Sequence, residues 1–179
     1  MIKIETRVDL LKKIHLFKDM SDEDIQDAAE RFSEAEYAAE DVIFEQGGKA
    51  ENFYLIVKGK VRIVRTRNKT ETQLAVLVAN DYFGEMALVS KRTRSATVTA
   101  LMPTTLLVLS LENFNELLRK NPRLKPNLNI TIRTRLLAQK LQFKWLRSDE
   151  VVYFLARKHP ILLYQTLVVP ASPLLVSRA

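Results

Sequence analysis

A glycine, a glutamate and an arginine in one short stretch have the types and spacing needed to bind a sugar phosphate. Gly84 allows backbone N–H groups to approach an anion closely, and it stands where a short helix would add its partial positive charge. Glu85 is an acceptor suited to a sugar hydroxyl rather than to a phosphate. Arg94 supplies a planar fork that matches two phosphate oxygens. These three residues predict an anion site with a hydroxyl acceptor beside it.

Short β-type runs surround this stretch and must position it. Apolar residues alternate along them, and glycine, asparagine or proline turn signals separate one run from the next. Several short strands at this spacing indicate a sandwich or barrel. Residues 83–89 lie between two of the runs, yet their composition favours a short helical turn. The predicted strands are Val42–Phe44, Phe53–Val57, Lys60–Val64, Gln73–Val78, Ala96–Ala100 and Thr105–Leu109.

Helices are predicted on both sides of the strands. Residues 2–17 have apolar positions at close to helical spacing. Ser21 and Ser110 are followed by the residues that favour the start of a helix. A longer helix is expected over about 125–146, and a last one over 148–158.

The composition excludes several classes of function. The 179 residues include no cysteine and only two histidines. Disulfide scaffolds and thiolate metal sites are therefore excluded, and Ser-His-Asp hydrolysis has few parts to work with. No base–nucleophile set accompanies Glu85, so we expect a protein that is not an enzyme. The N-terminus lacks the long apolar stretch of a secretory signal, and a cytoplasmic location is expected.

Charge divides the chain into two parts. Residues 122–179 contain ten Lys/Arg and two acidic residues, whereas residues 1–121 have a net charge of −1 within a total of +7. All four glycines also precede Asn121. We therefore predict a near-neutral domain over 1–121 and a basic helical C-terminal extension over 122–179.

Residues of about 10–121 resemble the cyclic-nucleotide-binding domain shared by catabolite activator protein and the regulatory subunit of cAMP-dependent protein kinase. The similar segments are the opening helix and turn at Leu10–Asp22, the early strands and glycine turns at Val42–Gly47 and Phe53–Gly59, and the phosphate-binding cassette at Phe83–Thr97. The cassette is the most specific of them. The resemblance implies an α+β fold: an eight-stranded β-roll (jelly roll) with N-terminal helices, a short cassette helix and C-terminal lid helices.

For the site, the resemblance implies a cyclic nucleotide as ligand, with no cofactor and no metal. Glu85 would hold the ribose 2′-hydroxyl, Arg94 would bind the cyclic phosphate, and Gly84 and Ala87 would lend backbone contacts. Ser95 would line the phosphate or the base edge, and a serine there favours cAMP over cGMP. The residues expected at the site are Phe83, Gly84, Glu85, Met86, Ala87, Arg94, Ser95 and Ala96.

Three positions depart from the family pattern. Asn80 stands where a glycine is usual, which is tolerable because asparagine readily adopts left-handed backbone conformations. The hairpin at Arg67–Lys69 lacks its glycine, and Thr93 replaces the proline common before the arginine. None of these changes removes a contacting group.

Three interpretations of residues 122–179 stay open. A DNA-binding module fits the basic charge, but the segment has no glycine turn and its last predicted helix is apolar, so no specific nucleic acid is expected. Residues 161–176 are nearly all apolar, although too short for an ordinary span of about 20 residues, which suggests a membrane-proximal segment at the inner face of the membrane. The third interpretation is a docking or homodimerisation arm.

These features predict a regulatory module that senses a cyclic nucleotide. Ligand binding would be relayed through the C-terminal helices to an attached effector or membrane segment, provided that two helix positions differ in ligand affinity. The alternatives are a transcription regulator of the catabolite-activator type and a module of this fold that binds no ligand.

Overall fold

The computed structural model describes residues 2–85 and 93–141. In these ranges, helices precede and follow eight strands. The helices are α1 (Ile4–Lys13), a 3₁₀ turn (His15–Phe17), α2 (Asp22–Glu30), α3 (Leu111–Lys120) and α4 (Leu124–Leu141). The strands are β1 (Ser33–Tyr37), β2 (Val42–Phe44), β3 (Asn52–Lys58), β4 (Lys60–Arg67), β5 (Thr70–Val78), β6 (Tyr82–Phe83), β7 (Thr97–Ala100) and β8 (Thr104–Ser110).

The strands form two four-stranded sheets. Their orders are β1-β8-β3-β6 and β2-β7-β4-β5, and the paired strands run antiparallel. The predicted β-roll with flanking helices is therefore confirmed.

Strand β3 lies at the centre of the core, with both of its faces covered. Phe53 and Leu55 belong to a cluster that joins the first sheet to the helices. Tyr54 and Ile56 belong to a second cluster between the two sheets. Because successive side chains of a strand point to opposite faces, one continuous apolar run supplies both layers of the core. The rings of Phe17, Phe32, Tyr82 and Phe114 surround Phe53.

Six of the eight strands occupy the predicted segments, with shifts of a few residues at their ends. Strands β1 and β6 were not predicted individually. The assignment of Phe83 to a helical turn is wrong, because Phe83 pairs with Tyr54 in the first sheet and Glu85 is the first residue in helical conformation. A strand of two residues is too short to produce an alternating pattern.

Local signals gave the helix caps and the turns correctly. The Ser21 and Ser110 side chains each accept a hydrogen bond from the backbone N–H three residues on. Asn80 has φ +70°, the left-handed conformation expected of it. Asn68 and Lys69 both have positive φ, as a two-residue hairpin turn of type I′ requires. The first helix, by contrast, ends at Lys13, and residues 15–17 form a separate 3₁₀ turn.

Arg7 fastens the N-terminal helix to the rest of the fold. Its guanidinium donates to the carbonyl of Phe32 at 2.6 Å and to that of Ile2 at 3.2 Å. It also pairs with the Glu34 carboxylate of β1 at 2.7 Å. Since these contacts reach both the end of α2 and the first strand, α1 is part of the folded unit.

Helix α4 extends the core beyond residue 121. Its buried Leu124, Leu128 and Ile132 join the cluster that contains the residues of α1 and α2. The Asn127 amide donates to Asp19 Oδ2 at 3.0 Å. The division of the chain at residue 121 remains a prediction.

Three features predicted from the sequence lie outside the described residues: the continuation of this helix to residue 146, the helix over 148–158 and the apolar segment 161–176. Within residues 2–85 and 93–141, no helix is long and apolar enough to cross a membrane.

Candidate functional site

The main chain of Arg94 is fixed by the glycine turn that follows β2. The Gly47 N–H donates to the Arg94 carbonyl at 2.9 Å, and the Arg94 N–H donates to the Gly48 carbonyl at 2.9 Å. This reciprocal pair of hydrogen bonds holds Arg94 as a short antiparallel bridge would. The arginine therefore has a defined backbone position although it lies in a loop.

The guanidinium of Arg94 is buried without an acidic partner. Its Nη2 donates to the Asn52 carbonyl at 2.9 Å and its Nη1 to the Gly84 carbonyl at 3.4 Å. The residue is 4% exposed, its Nε has no hydrogen-bond partner, and no carboxylate of the described residues forms an ion pair with it. Burial lowers the pKa of this guanidinium, an effect that the neighbouring Tyr54 and the charge of Glu85 oppose. A buried cation of this kind is a strong binding point for an anion.

Aromatic rings line one side of this cation. The guanidinium carbon lies 4.0 Å from the ring centroid of Phe44 and 5.6 Å from that of Tyr54. Tyr54 stacks on Phe83, with ring centroids 5.0 Å apart and the planes inclined by 9°. Phe83, one of the residues predicted for the site, thus supports the aromatic layer beneath Arg94.

Gly84 occupies a position that only glycine accommodates. Its φ is +89°, and a Cβ placed there would lie 2.9 Å from the Asn52 carbonyl oxygen and 3.0 Å from Arg94 Nη1. The absence of a side chain therefore lets the backbone of the cassette lie directly against the arginine.

Glu85 follows and is fully buried. Within the described residues, neither of its carboxylate oxygens has a hydrogen-bond partner of good geometry. Arg135 Nη1 lies 2.6 Å from Glu85 Oε2, so the two charges form an ion pair even though the alignment is not that of a hydrogen bond. The carboxylate is thus paired in charge and still has acceptor capacity for a hydroxyl group.

The sequence analysis did not identify Arg135, which comes from α4. Its Nη2 donates to the Tyr82 carbonyl at 2.7 Å, and its guanidinium carbon lies 5.0 Å from the Tyr82 ring centroid. One turn earlier, Thr131 Oγ1 lies 2.8 Å from the Tyr82 hydroxyl. Burial raises the pKa of that hydroxyl. The polar residues Asn127, Thr131 and Arg135 recur every fourth position, which was the available signal for a polar stripe on an otherwise apolar face.

The structure brings Phe83, Gly84, Glu85 and Arg94 together. Ala96 is buried, whereas the side chain of Ser95 is exposed and its carbonyl accepts a hydrogen bond from Arg65 Nε at 3.2 Å. Met86 and Ala87 lie outside the described residues. The roles predicted for all eight residues remain predictions.

Comparison with known proteins agrees with this geometry. Residues 34–121 match the family described as "Cyclic nucleotide-binding domain". The Cyclic AMP receptor protein of Thermus thermophilus is 33% identical over 141 residues, which cover 78% of this chain and 65% of that protein. The cGMP-dependent protein kinase, isozyme 1, of Drosophila melanogaster is 36% identical over 104 residues, which cover 56% of this chain and 14% of the kinase.

A solved structure shows the same relationship. The crystal structure of the Thermus thermophilus catabolite activator protein aligns with a TM-score of 0.66 at 34% identity, covering 72% of this chain and 61% of that one. The chain therefore contains a domain of the cyclic nucleotide-binding type over residues 34–121. It spans 65% of the Thermus receptor and 14% of the Drosophila kinase.

Proposed function

We propose that this domain binds one cyclic nucleotide between Arg94 and Glu85 and acts as a sensor without catalytic activity. Arg94 binds the cyclic phosphate and Glu85 accepts the ribose 2′-hydroxyl. The observation that carries the proposal is that a buried cation and a buried carboxylate both lie beside Gly84, each with polar atoms unsatisfied in the described residues. A phosphate satisfies the first and a hydroxyl the second.

We further propose that cAMP is preferred to cGMP. The support is Ser95, which follows the phosphate-binding arginine in the position where the family resemblance links serine to cAMP. Relatives named for cAMP and for cGMP both match this chain, so direct competition decides the preference.

Helix α4 is the proposed route by which binding is passed on. Arg135 of this helix pairs with the same carboxylate that accepts the ribose hydroxyl, and Thr131 contacts Tyr82 next to the cassette. A ligand that changes the position of Glu85 therefore changes the contacts of α4. Residues 142–179 follow this helix directly in the chain and would receive the change.

For residues 122–179 we propose a membrane-proximal or docking role at the inner face of the membrane, in a cytoplasmic protein. The basic charge and the apolar segment 161–176 support it, because anionic lipid attracts the former and an interface accepts the latter. A homodimer formed through the same segment is compatible with this role.

A transcription regulator of the catabolite-activator type is the second candidate. The similarity to the Thermus catabolite activator protein, which covers 72% of this chain, favours it. A transcription regulator requires a specific DNA sequence as a partner, whereas the membrane-proximal or docking role proposed above does not.

Calorimetric titration of the purified chain with cAMP, cGMP and 5′-AMP tests the proposed function. We expect one site per chain, tightest for cAMP and weakest for the non-cyclic nucleotide. If neither cyclic nucleotide binds at millimolar concentration, the domain is a ligand-independent interaction module instead.

A further inference from the structure

Strand β2 contributes to the arginine site twice. The ring of Phe44, its last residue, lies under the Arg94 guanidinium at 4.0 Å. The turn that follows, at Gly47 and Gly48, makes the two hydrogen bonds that fix the Arg94 main chain. The Gln46 side chain, between them, donates through Nε2 to the Thr66 carbonyl at 3.0 Å and accepts through Oε1 from the Thr66 N–H at 2.8 Å. Both ends of Arg94 are therefore held by residues outside the cassette.

The Phe44 ring stabilises the Arg94 cation where hydrogen bonds do not. The two Nη atoms donate to the backbone carbonyls of Gly84 and Asn52, and Nε has no partner in the described residues. In a site with little water, the negative face of an aromatic ring stabilises a cation more than it does at the surface. An aromatic ring also favours one orientation of a guanidinium above it, because a planar cation stacks on a ring and has no such preferred plane beside an aliphatic side chain.

We propose that Phe44 is a positioning residue of the ligand site: its ring orients Arg94 so that the guanidinium edge is ready for the phosphate. The inference rests on the proposed function, since it assigns to Phe44 a role in the affinity for the cyclic phosphate. The positioning role of Phe44 differs from a role in core packing, because an aliphatic residue would fill the space between the sheets without orienting a cation.

The test uses Phe44→Leu, which keeps an apolar side chain, and Phe44→Tyr, which keeps the ring. Phe32→Leu is the matched control, because Phe32 is buried in the other core cluster and packs on Phe53. Calorimetry gives the affinity for cAMP, and thermal unfolding gives the stability. We expect Phe44→Leu to weaken cAMP binding about tenfold, which corresponds to ~1.4 kcal/mol, and Phe44→Tyr to restore it. Phe32→Leu should lower stability without changing the affinity.

A double-mutant cycle with Arg94→Lys separates positioning from general damage. In the Arg94→Lys background, Phe44→Leu should have little further effect on affinity, because the planar cation that the ring orients is gone. Additive losses would overturn the inference, as would unchanged binding by Phe44→Leu in a chain that binds cAMP.

A measurement without ligand keeps the inference testable if cAMP does not bind. The side-chain NMR signals of Arg94 should be shifted by the ring current of Phe44, and the shift should be lost in Phe44→Leu and retained in Phe32→Leu. A chain with this pattern and no affinity for cyclic nucleotides would contradict the proposed function alone. Absence of the shift in the parent chain would contradict the positioning role.

Discussion

Glu85 and Arg135 form an ion pair, with Oε2 and Nη1 2.6 Å apart, that joins the cassette to the C-terminal helix α4. The carboxylate is fully buried, whereas the arginine side chain is 30% exposed. The acceptor proposed for the ribose hydroxyl is therefore also a partner of the helix that leaves the domain. Any ligand that recruits this carboxylate must share it with Arg135 or displace it.

Arg94→Ala should abolish most of the affinity for cyclic nucleotides. The substitution removes a charge-assisted contact to the phosphate in a buried site, a loss of about 2–4 kcal/mol in binding free energy. Arg133→Ala is the matched control, because Arg133 is exposed on α4. Calorimetric titration of both variants with cAMP measures the effect. Equal affinities for Arg94→Ala and the parent chain would refute the assignment of the phosphate site.

Glu85→Gln should change the preference between ribose and deoxyribose. A neutral amide oxygen accepts a weaker hydrogen bond than a carboxylate does, so cAMP should bind about tenfold or more weakly. The affinity for 2′-deoxy-cAMP, which has no 2′-hydroxyl, should change little. The ratio of the two affinities is the measurement, and it cancels effects on folding common to both ligands. A proportional loss for both ligands would show that the carboxylate does not accept the hydroxyl.

Gly84→Ala and Gly47→Ala differ in one physical respect. Both glycines have positive φ, but a Cβ at Gly47 meets no atom within 4 Å, whereas at Gly84 it collides with the Asn52 carbonyl and with Arg94. Gly47→Ala should therefore cost only the backbone strain, about 1–2 kcal/mol of unfolding free energy. Gly84→Ala should cost more and should also weaken cAMP binding. Denaturant unfolding and calorimetry check the two effects, and similar behaviour of the variants would argue against the close approach at Gly84.

An ion-pair cluster between α2 and α3 should make stability depend on pH. Arg31 pairs with Glu116 and with Asp27, and Lys120 lies 3.3 Å from Asp27. The hydrogen bond from Arg31 lowers the pKa of Glu116 below its ordinary value of 4.5. A folded-state pKa below the unfolded value means that this stabilisation is present above about pH 4.5 and is lost as the pH falls through the folded-state pKa.

Glu116→Gln should therefore lower the melting temperature at pH 6.5, and the difference from the parent chain should shrink as the pH falls below about 4.5. Glu112→Gln is the control, because Glu112 is exposed on the same helix and makes no ion pair within the described ranges. Thermal unfolding from pH 3 to 6.5 gives both comparisons. A difference that persists undiminished at pH 3 would mean that Glu116 contributes by packing rather than by charge.

The 179-residue chain should bind anionic vesicles more strongly than a chain truncated after Arg147, because of its C-terminal extension. Its basic residues attract lipid headgroups, and the apolar segment 161–176 favours the interface. Flotation with and without high salt measures this binding, and a gel-shift series measures binding to DNA, which should be weak, salt-sensitive and independent of sequence. Unchanged flotation after truncation would favour a docking arm, and a clear DNA sequence preference would favour a transcription regulator.

The sequence was sufficient to predict helix caps and one left-handed turn residue, because these features depend on neighbouring residues. Ser21 and Ser110 cap their helices as expected, and Asn80 adopts the left-handed conformation expected of it. Strand β1 was missed as a separate element because Glu34 and Glu36 make it polar, and its pairing is only with β8 at the edge of a sheet. The local hydrophobic pattern does not predict a strand whose stability comes from pairing with a neighbouring strand.

Some residues of the candidate site could be predicted from the sequence and others could not. Gly84, Glu85 and Arg94 were identified from one stretch of sequence, because their chemistry is recognisable at short spacing. Phe44 and Arg135 were not identified, since each reaches the site through sheet pairing or helix packing that only the folded chain shows. Their residue types, taken alone, are indistinguishable from a core phenylalanine and a solvated arginine.

The fastening of α1 by Arg7 determines which fragment of this protein is suitable for expression and crystallisation. A fragment cut at 34–121, the range that matches the family, would lose α1, α2 and α4. The apolar side chains on the helix-facing surface of β3 and β8 would then be exposed to water, and such surfaces promote association between molecules. A stable fragment should begin no later than Ile2, whose carbonyl binds Arg7, and should continue through Arg135.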